Sequence, residues 1–194
     1  MQITEEEIEQ FKRKVLRPIN VSDEQFREFH NVKSLKDYVM SKKQGLIEMY
    51  LLDQVSLRNP DIARLVYEVL EKIPLYDLEE IIDPFTELKE VGSSECYAFM
   101  TTNPFAEKLA SERKYKEAYE WTKTTRWTIL LYQPDFKNHS KECALFTIAH
   151  ELAHRHLKHI PTILSALKEG DTELDADALA EKWGFKKPKN WPRK

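Results

Sequence analysis

The sequence predicts an α+β protein in which a small sheet packs on two helices, behind an N-terminal helical region. Three observations carry this reading. Apolar residues recur at three and four positions within the first eighty or so residues, which is a helical period. Near Asp83-Pro84 that period gives way to short runs rich in aromatic and β-branched residues, which suit strands. Helical spacing returns after Ser140 in two stretches that place histidines and carboxylates on shared faces. The 194 residues fit one domain, or one domain with a helical extension, and are enough to bury a core. The expected divisions are a helical region over 1–83, the principal α+β domain over 84–185 and a basic tail over 186–194.

Element by element, Thr4 with Glu7 and Ser22 with Gln25 have capping-box spacing, in which side chains satisfy the free N–H groups of a helix start. Asn59-Pro60 sets a cap residue before a proline at the first helical position, where a missing N–H is no loss. Ile62, Leu65, Val66, Val69, Leu70 and Ile73 then form one apolar face, to be covered by the principal domain or by a partner. Residues 96–101 (CYAFMT) and 127–132 (WTILLY), followed by Asn-Pro and Gln-Pro, read as strands. The charged stretch 105–122 between them reads as a helix or a mobile excursion. Ser140 caps a helix with the apolar stripe Ala144, Leu145, Ile148, Ala149, Leu152 and Ala153. Thr172 or Asp171 caps the last helix, which runs through Ala176, Ala180 and Trp183 and stops at Gly184. Residues 186–194 hold five basic residues and no acidic one, the composition of a solvated tail.

Composition narrows the function classes. A net charge of −3 gives no whole-chain field towards nucleic acid or an anionic membrane. Two cysteines, Cys96 and Cys143, are too few for a disulfide scaffold and read as reduced thiols. The opening residues are acidic where a secretory leader is basic and then apolar, and no run approaches the roughly twenty apolar residues that span a bilayer. The expected compartment is the cytoplasm.

The chemistry lies in two stretches. His150-Glu151-Leu152-Ala153-His154 is an H-E-x-x-H motif, which on a helix stacks two imidazoles on one face where both reach one zinc ion. Glu151 is turned about 100° away, so that it faces a zinc-bound water rather than the metal and serves as general base. A four-coordinate catalytic zinc needs a third protein ligand. His156 and His159 lie off the register of the ligand pair and read as polar groups on the exposed end of the helix. Nineteen residues past His154, Glu173 and Asp177 share a helix face; one suits the metal and the other a hydrogen bond to a ligand imidazole. Asp175 points elsewhere and reads as a solvent-facing acid.

Glu173-Leu174-Asp175-Ala176-Asp177-Ala178-Leu179-Ala180, followed by Trp183-Gly184-Phe185, resembles the E-x-x-A-D-x-x-A helix of gluzincin metallopeptidases. The resemblance covers roughly the last hundred residues and is strongest to the CAAX prenyl protease group with its soluble relatives. Peptidases of the ImmA/IrrE group, which cleave repressors of mobile elements, are similar over the same region. It implies a zincin-like catalytic domain over 84–185, one Zn2+ ion on His150, His154 and Glu173, Glu151 as general base, and Asp177 behind a ligand histidine. A protein or peptide substrate in the cytoplasm follows. Arg155 and His156 depart from the family pattern and predict that the helix emerges into solvent there. The transmembrane helices of the prenyl protease are missing, which argues against a lipidated substrate. Residues 127–132 are the candidate edge strand for an extended substrate, an internal place in the sheet being the alternative. Tyr132, Arg126 and His156 are equivalent candidates for oxyanion stabilisation. Two further readings fit the residues: an inactive module in which zinc merely ties helices together, and a DNA-associated protease guided by the basic tail.

Overall fold

The computed structural model describes residues 32–53, 55–57, 59–82, 86–91, 98–101, 112–114, 116–117, 127–132, 140–159, 172–189 and 191. The capping boxes at Thr4 and Ser22, the break at Asp83-Pro84, Cys96, Arg126 and most of 105–122 lie outside these residues. Five helices and four strands follow in chain order among those described: α1 (Val32–Asp53), β1 (Val55–Ser56), α2 (Pro60–Lys72), α3 (Leu75–Ile82), β2 (Thr86–Val91), β3 (Ala98–Thr101), β4 (Trp127–Tyr132), α4 (Lys141–His156) and α5 (Thr172–Lys182). None of the described helices is long and apolar enough to cross a membrane.

Local chemistry accounts for the helix starts. Asn59 holds an extended backbone, and its side chain accepts the Asp61 N–H at 2.9 Å ahead of Pro60, so α2 begins where proline is harmless. Ser140 does the same for α4, its hydroxyl accepting the Cys143 N–H at 3.2 Å. Ile62, Val66, Val69 and Leu70, spaced at three and four, are the buried face of α2. That face packs on α4 within the same chain.

The sheet has the order β1-β2-β4-β3. β2 and β4 run parallel over their full length, Thr86 opposite Trp127 and Val91 opposite Tyr132. β3 returns antiparallel, Ala98 opposite Leu131 and Thr101 opposite Thr128. Residues 127–132, the candidate edge strand, are therefore internal, and β3 forms the edge on that side among the described strands. The strand residues alone do not reveal this, because pairing order is set by connections far along the chain. Ile129 and Leu131 share a face of β4 by the two-residue strand period, and Leu88 lies beside Ile129; all three are fully buried.

A single apolar cluster joins α1, α2 and α3 to Leu88, Ile129, Leu131, α4 and α5, and includes Trp183 and Phe185. The division expected at 83–84 does not separate two cores. At its centre is α4, of which every residue from Cys143 to Arg155 is buried. The apolar stripe expected on this helix is thus only part of a helix enclosed on all sides, by α2, α3, α5, β3 and β4. Arg155, expected near solvent, is 2% exposed. Its Nε donates to Thr86 Oγ1 at 2.7 Å, and that hydroxyl donates to the Ile81 carbonyl, so the residue joins α4 to the start of β2 and the end of α3. A buried guanidinium persists only with such partners. Cys143 is a buried free thiol whose pKa burial pushes up, against a hydrogen bond to Thr147.

Candidate metal centre

α4 carries the first half of the site. His150 and His154, four residues apart, point the same way, with ring centroids 4.5 Å apart and planes perpendicular. Their Nε2 atoms converge to 3.0 Å. The helix then stops abruptly. Lys158 takes a left-handed backbone (φ 57°), its N–H bonds to the Arg155 carbonyl at 3.1 Å, and the His159 N–H bonds back to the His154 carbonyl at 2.8 Å. This pair of reversed hydrogen bonds turns the chain beneath the helix. His159 is thereby carried to His154, with Nδ1 3.3 Å from Nδ1. It is 8% exposed, not on the outer end of the helix as expected. The turn was hidden because the position that usually holds glycine holds lysine.

α5 supplies the second half. Ala176 and Ala180 are fully buried on the face that packs against α4, and their small side chains let the two backbones come close. Gly184, with φ 92°, ends the helix by the same kind of turn, the Phe185 N–H bonding to the Ala180 carbonyl at 3.1 Å and the Gly184 N–H to the Glu181 carbonyl at 2.9 Å. Glu173, in the first turn, reaches both imidazoles: Oε2 lies 3.4 Å from His150 Nε2 and Oε1 3.5 Å from His154 Nε2. The side chains differ sharply in exposure, 3% and 4% for the histidines against 60% for Glu173. Hydrogen bonds from His150 and then His154 hold the Glu173 carboxyl well below the usual carboxylate range, so it is charged at neutral pH.

A second layer stands behind the imidazoles. Asp177 Oδ1 lies 3.0 Å from His150 Nδ1, yet these two buried atoms approach off the hydrogen-bonding direction and neither has a hydrogen-bond partner. An ionised carboxylate only accepts, so the His150 tautomer protonated at Nδ1 would face Asp177 and leave Nε2 free to act as a ligand. Burial, and next the neighbouring His154, push the His159 pKa down; a hydrogen bond to the Thr172 backbone takes the one N–H of the neutral ring. The nitrogen facing His154 is then an acceptor, to which the His154 tautomer protonated at Nδ1 would donate, leaving its Nε2 free to act as a ligand.

The two Nε2 atoms, 3.0 Å apart, thus face the Glu173 carboxylate, His150 nearest one oxygen at 3.4 Å and His154 nearest the other at 3.5 Å. Tetrahedral metal–ligand bonds near 2.0–2.1 Å would separate ligand atoms by roughly 3.3 Å, close to each of these nearest separations, so the residues present fit a zinc-sized ion. All three ligand atoms lie within 4.8 Å of one another. Glu151 is buried on the same helix but is not a member of the group, as expected for a residue turned from the ligand face.

The remaining candidates are placed elsewhere. His156 lies between Asp77, at 3.9 Å, and Glu80, at 3.6 Å, on α3 rather than in the cluster. Arg126 and the Tyr132 side chain lie outside the described residues. Asp175 is exposed. The basic tail is not simply solvated: Lys187 donates to Asp177 Oδ2, and Trp191 packs its ring 4.9 Å from that of His150. Lys186 and Lys189 are exposed.

A nebulin repeat family model matches residues 108–123. Those sixteen residues precede β4 and contribute none of the cluster. No curated protein and no solved structure matches the chain.

Proposed function

We propose that the chain is a zinc-dependent peptidase of zincin-like fold, acting on protein or peptide substrates in the cytoplasm. The observation that carries this is the convergence of Glu173 on His150 and His154 at separations suited to one zinc ion, the two histidines lying on a helix that also carries Glu151. When bound, the ion would polarise the scissile carbonyl and make a water acidic enough to lose its proton near neutral pH. The protein residues do the rest. Asp177, 3.0 Å from the outer nitrogen of His150, and His159, 3.3 Å from that of His154, would favour the tautomers whose inner nitrogens are unprotonated and face one point. Glu151 accepts the proton of the attacking water and returns it to the amine nitrogen as the C–N bond breaks. β3, the edge strand on that side among the described strands and in contact with α4, is where an extended peptide would align by main-chain hydrogen bonds.

Glu151→Gln tests the reading, because the amide keeps the shape of the side chain and loses only the proton acceptor. Zinc content and melting temperature should match the unmodified chain, while cleavage of a broad peptide library should fall by about 10²-fold or more. Zinc retained with cleavage undiminished would remove Glu151 from the reaction. Zinc bound by an unmodified chain that cuts no peptide would instead favour a metal-stabilised module.

A further inference from the structure

The chain beyond α5 returns to the helix pair at two points, and both lie behind or beside His150. Lys187 bonds Asp177 Oδ2, and its ammonium sits 4.7 Å from the centre of the Trp191 ring. Trp191 lies 4.9 Å from the His150 ring, meets Phe146 edge-on at 5.1 Å, and donates its indole N–H to Thr147 Oγ1 at 3.0 Å. The Thr147 hydroxyl is itself fixed, donating to the Cys143 carbonyl at 2.9 Å. Each contact removes a freedom that would blur the cluster. A cation on Oδ2 selects the carboxylate rotamer that leaves Oδ1 for His150 Nδ1. The indole, anchored at Thr147 and Phe146, closes the space into which the His150 ring would otherwise turn.

We infer that Lys187 and Trp191 are positioning residues for the metal ligand His150, a clasp through which the C-terminal segment becomes part of the metal centre. The inference rests on the metal reading of the cluster. Lys187 acts through Asp177, and Trp191 acts through the His150 ring; neither supplies a ligand atom. The clasp is one-sided, since His154 is held from the other flank by His159.

The test is zinc affinity of the 194-residue chain, measured by competition with a chromogenic chelator, with melting of each metal-free protein followed alongside. Lys187→Ala and Trp191→Ala should each weaken zinc binding by about 10–100-fold, the usual effect of removing a group that orients a ligand. Trp191→Phe, which keeps a ring beside His150, should bind within a few-fold of the unmodified chain. A second readout does not depend on those losses. Cobalt(II) should quench tryptophan emission of the unmodified chain, which has four tryptophans, and the greater share of that quench should vanish in Trp191→Phe. Unmodified affinity in both alanine variants, or a quench undiminished in Trp191→Phe, would overturn the clasp while leaving the metal centre intact. An unmodified chain that binds no zinc takes down the metal reading, and the clasp with it.

Discussion

His159 shows how much a single side chain can carry. Burial and the adjacent His154 hold its pKa below the ordinary 6.5, against smaller opposing effects of Asp175, the Thr172 backbone and Glu173. A base whose pKa is depressed on folding stabilises the fold where it is neutral. Its contribution is therefore present above about pH 6.5 and is lost as the pH falls through the lower folded value. The melting temperature of the metal-free protein should drop between pH 7 and 5, and His159→Gln should flatten that drop; an unchanged slope would show that His159 is not the group responsible. Glu173 is depressed in the same sense, but its loss belongs below its ordinary 4.5. Of the residues around the cluster, His150, Glu151, His154, Glu173 and Asp177 are legible in the sequence because each lies on a helix whose spacing is local. His159, Lys187 and Trp191 are not, since a turn and a returning segment bring them in.

The end of α4 decides whether His159 arrives at all. Lys158 holds a left-handed conformation that a residue with a Cβ adopts at a cost of about 1–2 kcal/mol. Glycine would remove that cost and give back part of it in unfolded-chain entropy. Lys158→Gly should thus stabilise the protein by roughly 0.5–1 kcal/mol in denaturant unfolding, with zinc affinity unchanged. Destabilisation would mean that the lysine side chain contributes more than its backbone loses. Element identity is readable where signals are local: Asn59-Pro60 marks the start of α2, Ser140 that of α4 and Gly184 the end of α5. The place of β4 inside the sheet is not readable, because its partners β2 and β3 are fixed by long connections. Nor is the burial of Arg155, whose partner Thr86 lies 69 residues away.

At the scale of the whole molecule, the helices of the N-terminal region share one core with the sheet and α4. Removing residues 1–83 would take away the buried face formed by Ile62, Val66, Val69 and Leu70, and α4 would lose the cover of α2 and α3. Removing a buried Leu, Ile or Val side chain costs about 1.5–3 kcal/mol of burial, and several are lost at once. The full chain should therefore unfold in one transition, helical signal and tryptophan emission coinciding, and the fragment 84–194 should fail to fold. Two separated transitions would instead show that the N-terminal helices fold independently. The uneven exposure of the cluster has a kinetic side. Both imidazoles are enclosed while the carboxylate is largely exposed. In the proposed zinc centre Glu173 would thus come first in the order of capture and last in the order of release, setting how quickly the centre exchanges with its surroundings, whereas the enclosed pair would set how firmly it holds.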